Sequence, residues 1–173
     1  MKKNFYYLTL FLFFIFIFTV FYLGLNKPNF YKPNEPNDKN LTKFYSNELF
    51  LNDELYSYEI IKNNKYTLVN IWASWCAPCR LEHSLLMDLN EKTNINIIGL
   101  NYKDKKNNAI KFLNEFGNPF KKVLTDPDGT ISISLGAYGV PETFLVNNKS
   151  KIIKKYIGPL KNDNILEIIN ITK

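Results

Sequence analysis

The feature that most constrains the fold is a buried strand that runs into a pair of cysteines and then into a helix. Residues 65–73 (KYTLVNIWA) form a short apolar run rich in β-formers, which is typical of a buried strand. Cys76 and Cys79, the two cysteines of the chain, follow with Pro78 between them. Leucines at helical spacing predict a helix over 77–92, whose first turn tolerates a proline. We therefore expect an α/β domain with the cysteines at a helix N-terminus.

The rest of the domain continues this alternation of strands and helices. Apolar runs and turn signals predict strands over 95–102 and 122–125, helices near 109–116 and 131–135, a hairpin of strands 143–146 and 151–156, and a last helix over 165–169. Alternation followed by a hairpin predicts a central mixed sheet covered by helices on both faces.

An apolar segment precedes the domain. Residues 5–25 (FYYLTLFLFFIFIFTVFYLGL) carry no charge, and a transmembrane helix needs ~20 such residues. Lys2 and Lys3 come before it, which places the N-terminus in the cytoplasm. The alternative is a cleaved signal peptide, but that has an apolar core of about 7–15 residues and a small-residue cleavage site. We predict an uncleaved, single-pass transmembrane anchor over 1–25.

The segment after the anchor has the composition of a spacer. Residues 26–40 (NKPNFYKPNEPNDKN) hold three prolines and few apolar side chains, which disfavours both helix and sheet. The folded domain is then 41–173, on the periplasmic side of a bacterial inner membrane, where a disulfide is expected by default. The net charge of +6 forms no basic stripe, so nucleic-acid binding is not predicted.

The position of the cysteines predicts their chemistry. The free N–H groups and the dipole of a helix N-terminus favour negative charge, and the thiolate is the reactive form of cysteine. Cys79 lies about one turn after Cys76 and is set back into the helix. We therefore expect Cys76 to be the exposed nucleophile and Cys79 the resolving thiol. Pro78 shapes the first turn, and Trp75 is expected to cover the pair from one side.

Two other interpretations of the cysteines compete with redox chemistry. A structural disulfide would close a very small loop, and the stabilisation from a disulfide grows with loop length. A zinc site formed by Cys76, Cys79 and His83 would lack a fourth thiolate or imidazole, whereas structural zinc is usually four-coordinate. Redox chemistry is favoured, with no metal and no cofactor. His83 is interpreted as a packing or surface residue.

Gly139-Val140-Pro141-Glu142-Thr143 forms a second candidate site. A proline at a strand entrance is confined to strand starts, edges or bulges. We expect a cis Val140–Pro141 bond that holds the loop extended against the cysteines, with backbone groups open to a substrate strand. An ordinary turn proline is the alternative.

Four segments together resemble a known family. They are WASWCAPCRLEH (72–83), GLNYKDKKNNAIKFLNEFGNPF (99–120), DPDGT (126–130) and GAYGVPETFLV (136–146). They resemble the thioredoxin superfamily and, within it, the CcmG/DsbE family of membrane-anchored thiol–disulfide proteins of cytochrome c maturation. The resemblance implies a thioredoxin-like fold, a cis proline at Pro141, and a Cys76–Cys79 pair that cycles between dithiol and disulfide.

The resemblance also implies tuning residues at Glu82, Glu142 and Tyr138. A carboxylate near a thiol raises the thiol pKa or accepts its proton. For Glu82 a solvated helix face is the alternative. Asn70 stands where thioredoxin itself has a buried acid, so Glu82 or Glu142 would have to transfer protons.

The implied partners are redox proteins. The resemblance points to the haem-attachment cysteines of apocytochrome c, or a dithiol protein of the same assembly, as substrate, and to a membrane electron donor of the DsbD or CcdA type. Ala77 and Pro78 separate the cysteines without a histidine, which favours a reductant over a strong oxidant. The alternatives are a less specific periplasmic thiol reductase and a non-catalytic, membrane-tethered binding module.

Overall fold

The computed structural model describes residues 2–25, 40–51 and 55–173. The N-terminal helix α1 (Lys2–Leu25) and the residues from 40 onward belong to two separate compact units. Within the described ranges, α1 is the one helix long and apolar enough to cross a membrane. Of the predicted linker, 26–40, all but the last residue lies outside the described residues.

The second unit alternates strands and helices as predicted. Its elements, in chain order, are β1 (Tyr45–Asn47), β2 (Leu55–Ser57), a 3-10 helix (Tyr58–Asn63), β3 (Tyr66–Trp72), α2 (Ala77–Lys92), β4 (Asn96–Tyr102), α3 (Lys106–Phe116), β5 (Lys122–Asp126), α4 (Thr130–Ser134), β6 (Glu142–Asn147), β7 (Ile152–Ile157) and α5 (Asn162–Thr172).

The main sheet has the strand order β5-β4-β3-β6-β7. The pairs β3–β4 and β4–β5 are parallel, whereas β6 runs antiparallel to both β3 and β7. β1 and β2 form a separate antiparallel pair. The predicted mixed sheet with helices on both faces is confirmed.

Successive residues of the central strand β3 point to opposite faces of the sheet and so enter two different cores. Leu68 and Trp72 face the core formed with α2, α3 and α5. Val69 and Ile71 face the core formed with α4, the 3-10 helix and the segment near Leu41. Because both faces are covered, β3 is apolar along almost its whole length.

The segment 45–57 was not predicted to form strands. Its strands are three residues long and show no periodic pattern, so tertiary hydrogen bonds position them. The backbone N–H of Leu49 donates to the Val123 carbonyl (2.8 Å), and Ser46 Oγ donates to the Thr125 carbonyl (2.8 Å). These contacts attach the segment to the edge strand β5.

Candidate active site

The two cysteines form a disulfide at the start of α2, a few residues after the end of β3. Their Cα atoms are 5.3 Å apart. Cys76 is the N-cap of α2, with extended backbone, and Pro78 lies in the first turn. The backbone N–H of Cys79 points at Cys76 Sγ, with a distance of 3.1 Å between N and Sγ. This N–H and the helix dipole are placed to stabilise a thiolate on Cys76 when the disulfide opens.

The expectation that Cys76 is exposed was wrong for the disulfide form. Cys76 and Cys79 are each only 3% exposed, and both belong to the core that contains Trp72. Val140, the residue before Pro141, packs against the same core. The prediction assumed that a helix N-terminus is open to solvent, but the residues around this one bury both cysteines.

Residues 74 and 75, just before Cys76, are held by the loop that follows β4. Asp104 accepts hydrogen bonds from the N–H of Ser74 (2.6 Å) and from its Oγ (2.9 Å). Trp75 Nε1 donates to the carbonyl of Lys103 (3.0 Å), and Arg80 Nη2 donates to the Ser74 carbonyl (3.1 Å). Sequence reasoning missed Asp104, although the segment NYKD contributed to the family resemblance.

Trp75 remains 57% exposed although its indole N–H is bound to the chain. Its ring therefore stays open to solvent beside the reactive pair. That it covers the disulfide remains a prediction.

Glu82 is a buried carboxyl one turn after Cys79, with 1% exposure, which excludes the solvated-face alternative. Its Oε1 accepts from Asn70 Nδ2 (2.9 Å), and its Oε2 accepts from the backbone N–H of Leu160 (2.7 Å). Burial raises the pKa of Glu82, and the two hydrogen bonds oppose that shift. A carboxylate whose pKa is raised binds a proton more tightly than an exposed one, which suits it to accept a proton from a neighbouring group.

Asn70 makes hydrogen bonds in the core that the sequence did not reveal. It is fully buried, and its Nδ2 donates to Thr143 Oγ1 (2.9 Å) as well as to Glu82. Asn70 therefore orients the Glu82 carboxyl and connects it to β6.

Glu142 and Glu82 lie on opposite faces of the sheet. In the pairing of β3 with β6, Asn70 is opposite Thr143 and Ile71 is opposite Glu142. Neighbouring strand residues point to opposite faces, so Glu142 shares the face of Ile71, whereas Glu82 contacts Asn70. The structure does not bring the two predicted carboxylates together.

Glu142 instead fixes the loop that precedes β6. Its Oε1 accepts from the N–H groups of Tyr138 (2.8 Å) and Gly139 (3.2 Å), and its Oε2 lies 2.8 Å from Lys155 Nζ. Lys155 Nζ also donates to the carbonyl of Gly136 (2.8 Å). We refer to this arrangement as the loop clamp.

The loop held by the clamp contains the other two predicted residues. The Val140–Pro141 peptide is cis, as expected, and the Pro141 carbonyl accepts from the N–H of Gly158 (3.0 Å). Tyr138 is 62% exposed, with Lys155 Nζ 4.1 Å from its ring centroid. The structure therefore joins Tyr138 to Lys155. Its predicted effect on the cysteines remains a prediction.

His83 is a packing residue, as interpreted from the sequence. Its Nε2 donates to the Gly117 carbonyl (3.0 Å), and its ring meets that of Phe112 edge-on with 5.0 Å between centroids. Burial lowers the pKa of His83, which favours the neutral form of the ring. In the described part of the chain, no cluster of three histidine, cysteine or acidic side chains is arranged for a metal.

The comparison with protein families decides the relationship. The Redoxin family profile matches residues 34–169. The chain belongs to the Redoxin family. The predicted membership of the CcmG/DsbE family is also supported by curated relatives of this redoxin. This chain is 46% identical over 103 residues to thiol:disulfide interchange protein CycY of Rhizobium leguminosarum bv. viciae. The aligned region covers 60% of this chain and 55% of the relative.

Two DsbE proteins give similar matches to this redoxin. The identity is 41% over 120 residues with DsbE of Haemophilus influenzae, covering 69% of this chain and 62% of the relative. It is 38% over 122 residues with DsbE of Escherichia coli K12, covering 70% and 65%. The chain thus spans between about half and two thirds of the length of these relatives.

Solved structures confirm the thioredoxin-like fold of this redoxin. A DsbE-like protein of Chlorobium tepidum superposes with a TM-score of 0.65 at 21% identity, over 78% of this chain and 93% of that one. StoA of Bacillus subtilis superposes with a TM-score of 0.58 at 22% identity, over 73% and 95%.

Proposed function

We propose that this redoxin is a membrane-anchored thiol:disulfide oxidoreductase that works as a protein-disulfide reductase. The observation that carries the proposal is the Cys76–Cys79 disulfide at the N-terminus of α2, with the buried carboxyl of Glu82 one turn further on. The names of the curated relatives, thiol:disulfide interchange proteins, support it.

The geometry supports an exchange in two steps. In the reduced chain, the Cys76 thiolate attacks one sulfur of the substrate disulfide, and the other substrate sulfur leaves as a thiolate that takes a proton. Cys79 then loses its proton and attacks Cys76 Sγ, which releases the second substrate thiolate. Two electrons have passed to the substrate, and the chain is left with the Cys76–Cys79 disulfide. Glu82 is the proposed acceptor of the Cys79 proton.

The proposed substrates are the haem-attachment cysteines of apocytochrome c or a dithiol protein of cytochrome c maturation. Haem bonds to free thiols, so a disulfide between those cysteines must first be opened. A reductant in an oxidising compartment must be recharged, and a membrane electron donor of the DsbD or CcdA type fits that need. Family resemblance and the absence of a histidine between the cysteines support this direction.

The proposed arrangement is an anchor over 1–25, a linker over 26–40 and a thioredoxin-like domain over 41–173. The N-terminus lies in the cytoplasm and the domain in the periplasm, as the lysines before the apolar helix favour. Anchoring raises the concentration of the domain near a membrane electron donor.

A substrate trap in cells tests the proposal. Without Cys79, the mixed disulfide on Cys76 cannot resolve, so full-length Cys79→Ser should accumulate covalent adducts that a thiol reductant releases. Cys76→Ser should form none and should lower the yield of mature cytochrome c. If the adducts contain many unrelated proteins, a general reductase is favoured. If no adduct forms and Cys76→Ser leaves cytochrome c maturation intact, the cysteines are a passive clip.

A further inference from the structure

The residues just before Cys76 contact segments of the chain that carry three exposed cationic side chains. Arg80 is bonded to the Ser74 carbonyl, and the Lys103 carbonyl accepts from Trp75. Lys105 follows Asp104, whose carboxylate binds Ser74. Arg80, Lys103 and Lys105 are all exposed. The Arg80 side chain is thus bonded to residue 74, and two exposed lysines lie in the loop whose backbone and Asp104 hold residues 74 and 75.

The acid within this group is occupied by internal hydrogen bonds. Asp104 accepts from Ser74 twice, from Asn101 Nδ2 (3.1 Å) and from the N–H of Lys105 (2.8 Å). Asp128 is exposed and precedes Gly129, whose backbone lies close to the Lys103 side chain, so one acid stands near this group. Arg80, Lys103 and Lys105 outnumber it, which leaves a net positive charge on these exposed side chains.

The backbone that presents these lysines is fixed. Lys103 adopts a left-handed conformation (φ 44°), and its N–H donates to the Asp126 carbonyl (2.9 Å). The turn cannot relax without breaking this bond and the one to Trp75. The large exposed ring of Trp75 is bonded to the Lys103 carbonyl of this turn, and such aromatic side chains are frequent anchors of protein interfaces.

We propose that Trp75, Arg80, Lys103 and Lys105 form a docking surface for a protein segment that carries acidic residues beside its own disulfide. This inference rests on the proposed function, because the segment must react with Cys76. The surface raises the rate of encounter by electrostatic attraction, an effect that salt weakens.

Two disulfide peptides test the docking surface on the full-length, reduced chain in neutral detergent. They share one CxxC sequence and differ only in flanking residues, glutamate in one and glutamine in the other. The readout is the ratio of their rate constants for oxidising the Cys76–Cys79 pair, followed by quenching and alkylation. We expect the acidic peptide to react about 10-fold faster at low salt. The ratio should approach one at about 1 M salt, where the Debye length is about 3 Å.

Charge reversal locates the effect. Lys103→Glu with Lys105→Glu should bring the low-salt ratio to one or below. The matched control is Lys65→Glu with Lys149→Glu, which changes the net charge by the same amount. These lysines lie at the other end of β3, where the Asn148 N–H donates a hydrogen bond to the Lys65 carbonyl. This control should keep most of the preference.

Each outcome decides between the proposals. Equal rates for the two peptides, or an equal loss of preference in the control, overturn the docking surface and leave the reductase intact. If neither peptide oxidises the pair, the proposed function fails and the docking surface fails with it.

Discussion

Replacing Lys155 by Met tests how the loop before β6 is held. The side chains of Lys155 and Glu142 are only 3% and 2% exposed, and their charged atoms lie 2.8 Å apart. Lys155→Met keeps much of the apolar stem but leaves the Glu142 carboxylate buried without its cation. Breaking a buried pair in this way costs about 3–5 kcal/mol. We expect that loss in the free energy of unfolding of the domain.

The assay is chemical denaturation of the full-length chain in neutral detergent, followed by tryptophan fluorescence. The adjacent Lys154 provides the control, because it pairs with Glu167 at 3.1 Å while the two side chains are 31% and 40% exposed. Exposed pairs contribute about 0–1 kcal/mol, so Lys154→Met should have little effect.

A second substitution separates the charge from the hydrogen bonds. Glu142→Gln removes the buried charge but keeps an oxygen for the N–H groups of Tyr138 and Gly139. The double variant with Lys155→Met should therefore be more stable than Lys155→Met alone. A cost for Lys155→Met no larger than that of Lys154→Met, or a double variant no more stable than the single one, would refute the loop clamp.

Three further predictions concern single residues. Because the pKa of Glu82 is raised in the folded chain, the unfolded chain releases its proton first, and stability falls as pH rises from about 4.5 through the raised pKa. Glu82→Gln should remove this loss, so its stability relative to the native chain should increase as the pH rises above 4.5 in denaturant unfolding. Gly99→Ala would place a Cβ 2.8 Å from the Phe120 ring, and a loss of about 1–3 kcal/mol is expected in the same assay, whereas an unchanged midpoint would contradict this packing. Asp104→Ala removes the hydrogen bonds from Asp104 to Ser74, so thiol–disulfide exchange at Cys76 should slow by more than the loss of stability explains. An exchange rate equal to that of the native chain would show that the loop does not need Asp104.

The elements of the main sheet were predictable because their signals are local. Apolar runs marked β3 and β4, and leucine spacing placed α2 over the residues where it forms. β1 and β2 were not predictable, since bonds to β5, such as that from Ser46 to the Thr125 carbonyl, position them across 79 residues of sequence.

The site was predictable only where residues form a motif. Cys76, Cys79 and Pro141 stand in recognisable patterns. The partners of the carboxylates do not, because Asn70 and Glu82 are 12 residues apart and Ser74 and Asp104 are 30 apart. Strand register decides which face each side chain occupies, and a sequence with no known pairing cannot reveal that Glu82 and Glu142 lie on opposite faces.

The reaction of Cys79→Ser with a disulfide peptide tests the central claim most directly. The purified full-length variant is mixed with an oxidised CxxCH peptide, and the adduct is located by mass spectrometry after digestion. Our account predicts one mixed disulfide per chain, located at Cys76, and a much slower reaction for Cys79 in the Cys76→Ser variant. Absence of the Cys76 adduct, or equal reactivity of Cys79 in the Cys76→Ser variant, would contradict the assignment of Cys76 as the nucleophile.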